Sequence, residues 1–277
     1  MPFVSYSSSA TANPKLIEKK ARRGEGNKAW LAGLGAPDGV KLDENGVILI
    51  GGSTLADFRV RVAQSAARTD MLPSFWSLCG ILWAGGKCVT VPLDLRTREP
   101  TRRRDNDDVS AIPRCNAVRI CSLEEFDDPK RYPNIAAIRF AKVHMDVDRH
   151  IARVQMDRNV IDLAAILLPW LAFVWGTSGS TNPLQNGIGL PSSAFVETVF
   201  AMAGFELTPG LSSASSCPEA IWQAAKWWTN FYESTGPSVQ SVKAVPMTPE
   251  GYYAIRQQEA AVMDRPAGKP PASAKPR

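Results

Sequence analysis

Residues Leu163 to Trp175 are apolar without exception. No side chain in this run offers water a charge or an amide, so a chain that carries it has to cover much of it with other apolar surface. The run is too short for a bilayer, which needs roughly 20 apolar residues in a helix. It therefore predicts a buried helix, kinked near Ile166 because Pro169 removes one helical hydrogen bond. A helix of this kind needs a core to lie on. With 277 residues and a 44% hydrophobic fraction, the chain has material for one large domain or two small ones.

The elements around the run divide by pattern. Val40–Leu42 and Val47–Ile50 flank Asp43-Glu44-Asn45-Gly46, which reads as a hairpin. After Gly51-Gly52, Ser53 or Thr54 caps a helix to about Ala67, with Asp57 in its first turn and Phe58, Val62 and Ala66 as its buried stripe. Pro73 to Trp83 reads as a second helix, stopped by Gly85-Gly86. Lys87–Val91 and Ala117–Cys121 read as strands, and Ser122 caps an acidic turn. Ile135–Met145 fits a strand or a helix equally. Four helices are expected further on, at Asp157–Val174, Ser192–Ala203, Pro218–Tyr232 and Pro249–Asp264. A short helix over Pro14–Arg23 is a further candidate.

The expected architecture is α+β and mainly helical, with a small sheet in the N-terminal half, a helical C-terminal half and disordered basic termini. The expected division is a basic arm at 1–29, an α+β subdomain at 30–156, a helical subdomain at 157–264 and a Pro/Ala/Ser-rich basic tail at 265–277. The N-terminus lacks a basic stretch followed by an apolar run, so no secretory signal is expected. Cys79, Cys88, Cys115, Cys121 and Cys217 form no Cys-x-x-Cys pair and are odd in number, which argues against a disulfide framework and a thiolate zinc site. They are expected to be reduced, mostly buried thiols.

Few groups suggest catalysis. Gly176-Thr177-Ser178-Gly179-Ser180-Thr181-Asn182-Pro183 resembles the phosphate loop of adenylate-forming enzymes, whose pattern is Thr-Ser-Gly-Ser/Thr-Thr-Gly-x-Pro-Lys. Asn182 stands where that loop has glycine, Pro183 comes one residue early, and no lysine follows. The simpler reading is a connection between helices, with Gly and Asn serving turns. His144 and His150 bracket Asp146 and Asp148, but helical metal pairs sit four apart, and a charged surface turn is the simpler reading. Cys217 would be a nucleophile only beside a distant histidine. Trp222, Trp227, Trp228, Phe231 and Tyr232 read as a core or subunit-contact stripe on one helix, with base stacking by an exposed tryptophan as the alternative. No metal or cofactor is expected, and the chain is expected not to be an enzyme.

The basic residues carry the strongest functional pattern. Net charge is +5 overall, and it is positive over residues 1–37, 96–158 and 248–277 but negative over 159–247. Arg96, Arg98, Arg102, Arg103 and Arg104 fall within nine residues, in a loop bounded by Pro92 and Pro113. Guanidinium groups grip phosphate through paired hydrogen bonds. Arg59, Arg61 and Arg114 are candidates to extend that patch. Lys19, Lys20, Arg22 and Arg23 form the basic N-terminal arm. No RNA-recognition, KH, zinc-knuckle or helix-turn-helix signature is present, so any nucleic acid would be held by its backbone.

Pro, Ala and Ser number 21, 34 and 22, and the chain closes Pro266-Ala267-Gly268-Lys269-Pro270-Pro271-Ala272-Ser273-Ala274-Lys275-Pro276-Arg277. In this composition, basic arms and size, the chain resembles the proline-alanine-serine-rich protein of polymycoviruses. That resemblance implies coating of double-stranded viral RNA, self-association into oligomers or filaments, no membrane partner, and a place in the virion or host cytoplasm. The expected function is thus a non-enzymatic, sequence-independent RNA coat. The alternatives are a nucleotide-binding enzyme using the Gly176–Pro183 loop and a protein-interaction scaffold without nucleic acid.

Overall fold

The computed structural model describes residues 16–34, 46–83, 85–93, 116–140, 147–176, 179–234 and 249–257, with the side chains of 140, 228–234 and 249–250 left aside. The strands are β1 (Leu16–Glu18), β2 (Val47–Gly51), β3 (Leu78–Trp83), β4 (Lys87–Thr90), β5 (Arg119–Ser122), β6 (Asn134–Phe140) and β7 (Pro249–Ile255). They form one sheet in the order β1-β7-β6-β2-β3-β4-β5. The β1–β7 pair is parallel and all the others are antiparallel. The helices are α1 (Asn27–Ala32), α2 (Leu55–Ala63), α3 (Val147–Met156), α4 (Leu163–Trp175), α5 (Pro191–Met202) and α6 (Pro218–Ser234). The chain is an α+β protein.

The central strands are apolar on both faces, as a sheet covered on both sides requires. Val47 and Leu49 of β2, Cys79 and Ile81 of β3, Ala136 and Ile138 of β6 and Tyr253 of β7 join one core with α3, α5 and α6. Ile48 and Ile50, Leu82, Cys88, Cys121, Ile135, Ala137 and Ala254 point the other way, against Trp30, Leu31 and Leu34 and against Leu123 and Phe126 of a 3-10 turn. A third cluster joins α2 to α4 through Val60, Ala63, Trp170 and Val174. Residues Pro191–Phe200 of α5 are all buried, so this helix is the centre of the larger core. Truncating one of its phenylalanines to alanine would cost about 3–5 kcal/mol.

Several sequence readings change here. Pro249–Asp264, expected to be a helix, begins with β7, which pairs along seven residues with β6. Proline at the first residue of a strand leaves the ladder intact, and Tyr252 and Tyr253 favour a pleated surface. The sheet therefore draws strands from both ends of the chain. Pro14–Arg23, a candidate helix, holds β1 instead. Pro73–Trp83, also expected to be helical, turns at its start and then runs as β3. Gly80 allows that strand its neighbour, since a Cβ there would lie 2.8 Å from the Val89 carbonyl oxygen. The ambiguous Ile135–Met145 begins as β6. The expected helix Asp157–Val174 starts later, at Leu163, where Asp162 accepts the Ala165 N–H. It continues through Pro169 to Gly176, whose left-handed φ of 66° ends it.

The helix α3, upstream, is built on Val147, Ile151 and Val154, which recur on one face. On α2 the stripe is rotated from the expected one: Val60 and Ala63 are buried, and Val62 is exposed. Residues on both sides of the expected 156/157 boundary share the larger core. Thr54 and Asp57 cap α2 reciprocally, as the sequence suggested.

Candidate functional site

The basic candidates separate into three groups. Arg96, Arg98, Arg102, Arg103, Arg104 and Arg114 lie outside the described residues. The ends of their segment do not. Leu93 packs beside the α2–α4 cluster, and Asn116 is buried. The Asn116 amide donates to the carbonyls of Val154 and Ile161 and its oxygen accepts the Leu163 N–H. Asn116 has a φ of 44°, a conformation that asparagine tolerates better than most residues. The described residues on either side of that segment, Leu93 and Asn116, are thus both packed into the fold.

The second group is the N-terminal arm. Lys20, Arg22 and Arg23 are exposed between β1 and α1. The Lys19 ammonium donates to the Gly33 carbonyl at 2.6 Å, and the Lys19 carbonyl accepts from the Trp30 indole. The arm is held against the fold at this point.

The third group is taken up by the fold. Arg61, a candidate phosphate ligand, is 1% exposed. Its Nε donates to the Ser74 carbonyl at 2.6 Å and its Nη1 to Gln257 Oε1 at 3.2 Å. Arg59 is half-buried and donates to the Val174 carbonyl at 2.6 Å, where a cation suits the C-terminal end of α4. These two arginines do not extend a phosphate-binding patch: Arg61 is enclosed on the buried side of α2, and Arg59, at the edge of its exposed side, is held against the end of α4.

The Gly176–Pro183 stretch behaves as a connection. Gly176 ends α4, Asn182 caps the 3-10 turn Pro183–Asn186 by accepting the Leu184 N–H, and the Asn182 amide donates to the Ala63 carbonyl. Thr177 and Ser178 lie outside the described residues. Of the histidine–aspartate group, His144 and Asp146 also lie outside them, while Asp148 and His150 sit on α3. Among the described residues, no group of three metal-ligating side chains comes together. No family model, curated protein or solved structure matches this chain.

A buried polar cluster that the sequence reading missed joins α2, the Arg68–Ser77 connection and α6. Glu219 is fully buried. Its carboxylate accepts from Ser74 Oγ at 2.6 Å and from Gln223 Nε2 at 2.6 Å, and Arg68 lies 3.6 Å away. Arg68 also holds Asp70 through two hydrogen bonds, of 2.8 and 2.6 Å, and lies over the Phe75 ring. Gln64 accepts the Glu219 N–H and donates to the Trp76 carbonyl. Lys226, one further turn along α6, is 3% exposed and lies over the Trp222 ring.

Burial pushes the Glu219 carboxyl up, against the pull of Arg68. Burial likewise lowers the Lys226 ammonium, opposed by Glu219. For Arg68, burial acts downward, but the Asp70 hydrogen bond and the Glu219 charge outweigh it and leave the group raised. Apart from Gln223 Oε1, which is buried without a hydrogen-bond partner, and Asp70, which reaches the surface, these polar groups are buried against one another, so the cluster acts as a clamp between elements. The signal was present in sequence as Glu219, Gln223 and Lys226 at helical spacing on one face, but their partners are about 145 residues away.

A second buried carboxyl, Glu197 of α5, accepts from Thr208 Oγ1 at 2.6 Å and Ser216 Oγ at 2.9 Å. Burial pushes it up to about 6 despite these hydroxyls. Cys217 is buried and its thiol is pushed up to about 12 by burial, which leaves it protonated and unsuited to attack.

Trp222 is fully buried and stacks edge-on with Trp76 and Tyr253. It is a core residue, as one of the two expectations for the aromatic stripe had it. Trp227 is partly buried, and the side chains of Trp228, Phe231 and Tyr232 lie outside the described ones.

Proposed function

We propose that this chain is a non-enzymatic RNA-coating protein that holds the nucleic-acid backbone without regard to sequence and self-associates around a viral genome. The observation that carries the reading is the run of five arginines within Arg96–Arg104. It is supported by the anchoring of that segment's ends at Leu93 and Asn116 and by the exposure of Lys20, Arg22 and Arg23. With Arg59, Arg61 and Lys19 used internally, the phosphate-binding set narrows to Arg96, Arg98, Arg102, Arg103, Arg104, Arg114, Lys20, Arg22 and Arg23. The apolar, slightly acidic 159–247 segment supplies contacts between subunits. The resemblance to the polymycovirus proline-alanine-serine-rich protein points to double-stranded RNA as the ligand, and the virion or host cytoplasm as the place. The mainly helical balance belongs to this same reading. Among the described residues no helix is long and apolar enough to cross a membrane.

A gel shift with unrelated double- and single-stranded RNAs over a salt series tests it. The wild type binds all the duplexes, and binding weakens as salt rises. Replacing Arg102, Arg103 and Arg104 together with alanine lowers affinity for every sequence and reduces the salt dependence by up to about three ions. RNA binding that is absent at low salt, or unchanged in the triple variant, rejects the reading.

A further inference from the structure

We propose that the exposed stripe of α4, with the adjoining face of α2, is the surface through which two copies of this chain pair about a two-fold axis. The inference rests on the self-association in the proposed function and names its site.

The observation is an exposed helix face with nothing polar on it. All residues of α4 are apolar. Trp170, Leu171 and Val174 point inward. Ala165, Leu168, Ala172 and Trp175 recur at intervals of three and four, which places them along one stripe. Leu168 is 67% exposed and Trp175 59%. A surface helix ordinarily carries charged or polar residues on such a face.

The neighbouring helix repeats the pattern. Leu55 and Val62 of α2 are seven apart, hence on one face, and are 52% and 42% exposed. Arg59 lies between them on that face and donates to the Val174 carbonyl at the end of α4. The bond ties α2 to the C-terminal end of α4 and engages that guanidinium.

Charge and area choose the occupant. Among the described residues of these two faces Arg59 is the one cation, and its bond to Val174 holds it, so the surface suits an apolar partner better than a phosphate backbone. The complement of an uncharged apolar stripe is another such stripe, and a second copy presents one. An isologous contact brings each stripe against its own equivalent. At about 150–250 Å² per large side chain, the four residues offer roughly 300–500 Å² per protomer. Doubling that area, and adding the alanines between, reaches about the 1,000 Å² at which specific interfaces begin. A contact of this size is weak enough to dissociate on dilution.

Sedimentation velocity on the full chain over a wide concentration series tests the proposal, with Leu168→Glu and Trp175→Glu made separately and Val62→Lys as a third position. Circular dichroism establishes that each variant is folded; these positions are exposed, and at least one retains the wild-type spectrum. The wild type is expected to shift from monomer to dimer with concentration. Each folded variant is expected to need at least tenfold more protein for the same shift. A wild type that is monomeric at every concentration overturns the proposal, whether the stripe is covered by the chain's own residues or by another protein. Folded variants that associate as the wild type does overturn it too. A gel shift on the same samples separates the two readings: loss of RNA binding by the wild type rejects the coat function and leaves the dimer standing, while RNA binding without dimerisation does the reverse.

Discussion

Ser74 Oγ donates a 2.6 Å hydrogen bond to Glu219 Oε2 and also accepts the Trp76 N–H, so one hydroxyl ties the start of α6 to the entry of β3. The residues it joins are far apart in sequence and fully buried. The bond belongs to the clamp that holds Arg68 in the interior.

Substitution within the clamp is expected to be graded. Ser74→Ala removes one bond and leaves the Glu219 carboxylate short of a donor, a loss of about 1–3 kcal/mol. Glu219→Ala strips Arg68 and Lys226 of their buried counter-charge and is expected to cost about 3–5 kcal/mol. Urea unfolding measures both. Equal, small losses would show that the cluster is solvated and not a clamp.

Glu197 makes stability depend on pH. Its folded carboxyl titrates near 6 against an ordinary value of 4.5, because burial disfavours its charge. The folded chain holds the proton more tightly than the unfolded one. The resulting stabilisation is present below pH 4.5 and is lost as pH rises through about 6, in all about 2 kcal/mol. Glu197→Gln keeps an oxygen for Thr208 and Ser216 and removes the titration. Relative to the wild type, the variant is expected to gain stability steadily between these pH values and to plateau above them. A constant difference across the range would contradict this.

The arginines are expected to divide by role. Arg61→Met leaves the Ser74 carbonyl and Gln257 without their donor and is expected to lower stability by about 2–4 kcal/mol. Below its melting temperature, its RNA affinity is expected to equal that of the wild type. The Arg102, Arg103 and Arg104 alanine variant is expected to show the converse, with an unchanged melting temperature and weakened RNA binding. Thermal unfolding and gel shifts on the same preparations read the two effects apart.

Thiol chemistry offers a check on the core. Cys79, Cys88, Cys121 and Cys217 are all buried. Burial raises the Cys79 and Cys217 thiols to about 12 and lifts Cys88 well above its usual value. Maleimide labelling followed by peptide mass mapping is expected to leave these four unmodified in the native protein and to modify them in urea. Rapid native labelling of Cys88 or Cys121 would mean that the β4–β5 edge opens.

Local features were legible from residue order. The Thr54–Asp57 cap, the Ser122 turn, the strands at Lys87 and Arg119, and the helices α5 and α6 each depend on groups within a few positions of one another. The same holds for the turn roles of Gly176 and Asn182. Leu78–Trp83 and Pro249–Ile255, expected to be helical, and the start of Ile135–Met145, which fitted either period, became strands because a partner edge was waiting in the sheet.

The residue order by itself determined that this chain would make a sizeable core, form a helix within Leu163–Trp175 and concentrate arginine in one short segment; that this helix would bury only one side and leave Leu168 and Trp175 exposed was not among the things it determined. Those outcomes follow from composition and spacing, which need no partner to be read. Only the tertiary structure decided that Arg61 would be enclosed, that β1 and β7 from opposite ends of the chain would lie side by side, and that Glu219 would meet Ser74. The physical reason is that strand pairing and buried charge are satisfied by whichever groups the folded chain brings within about 3 Å, and sequence separation places no limit on which those are.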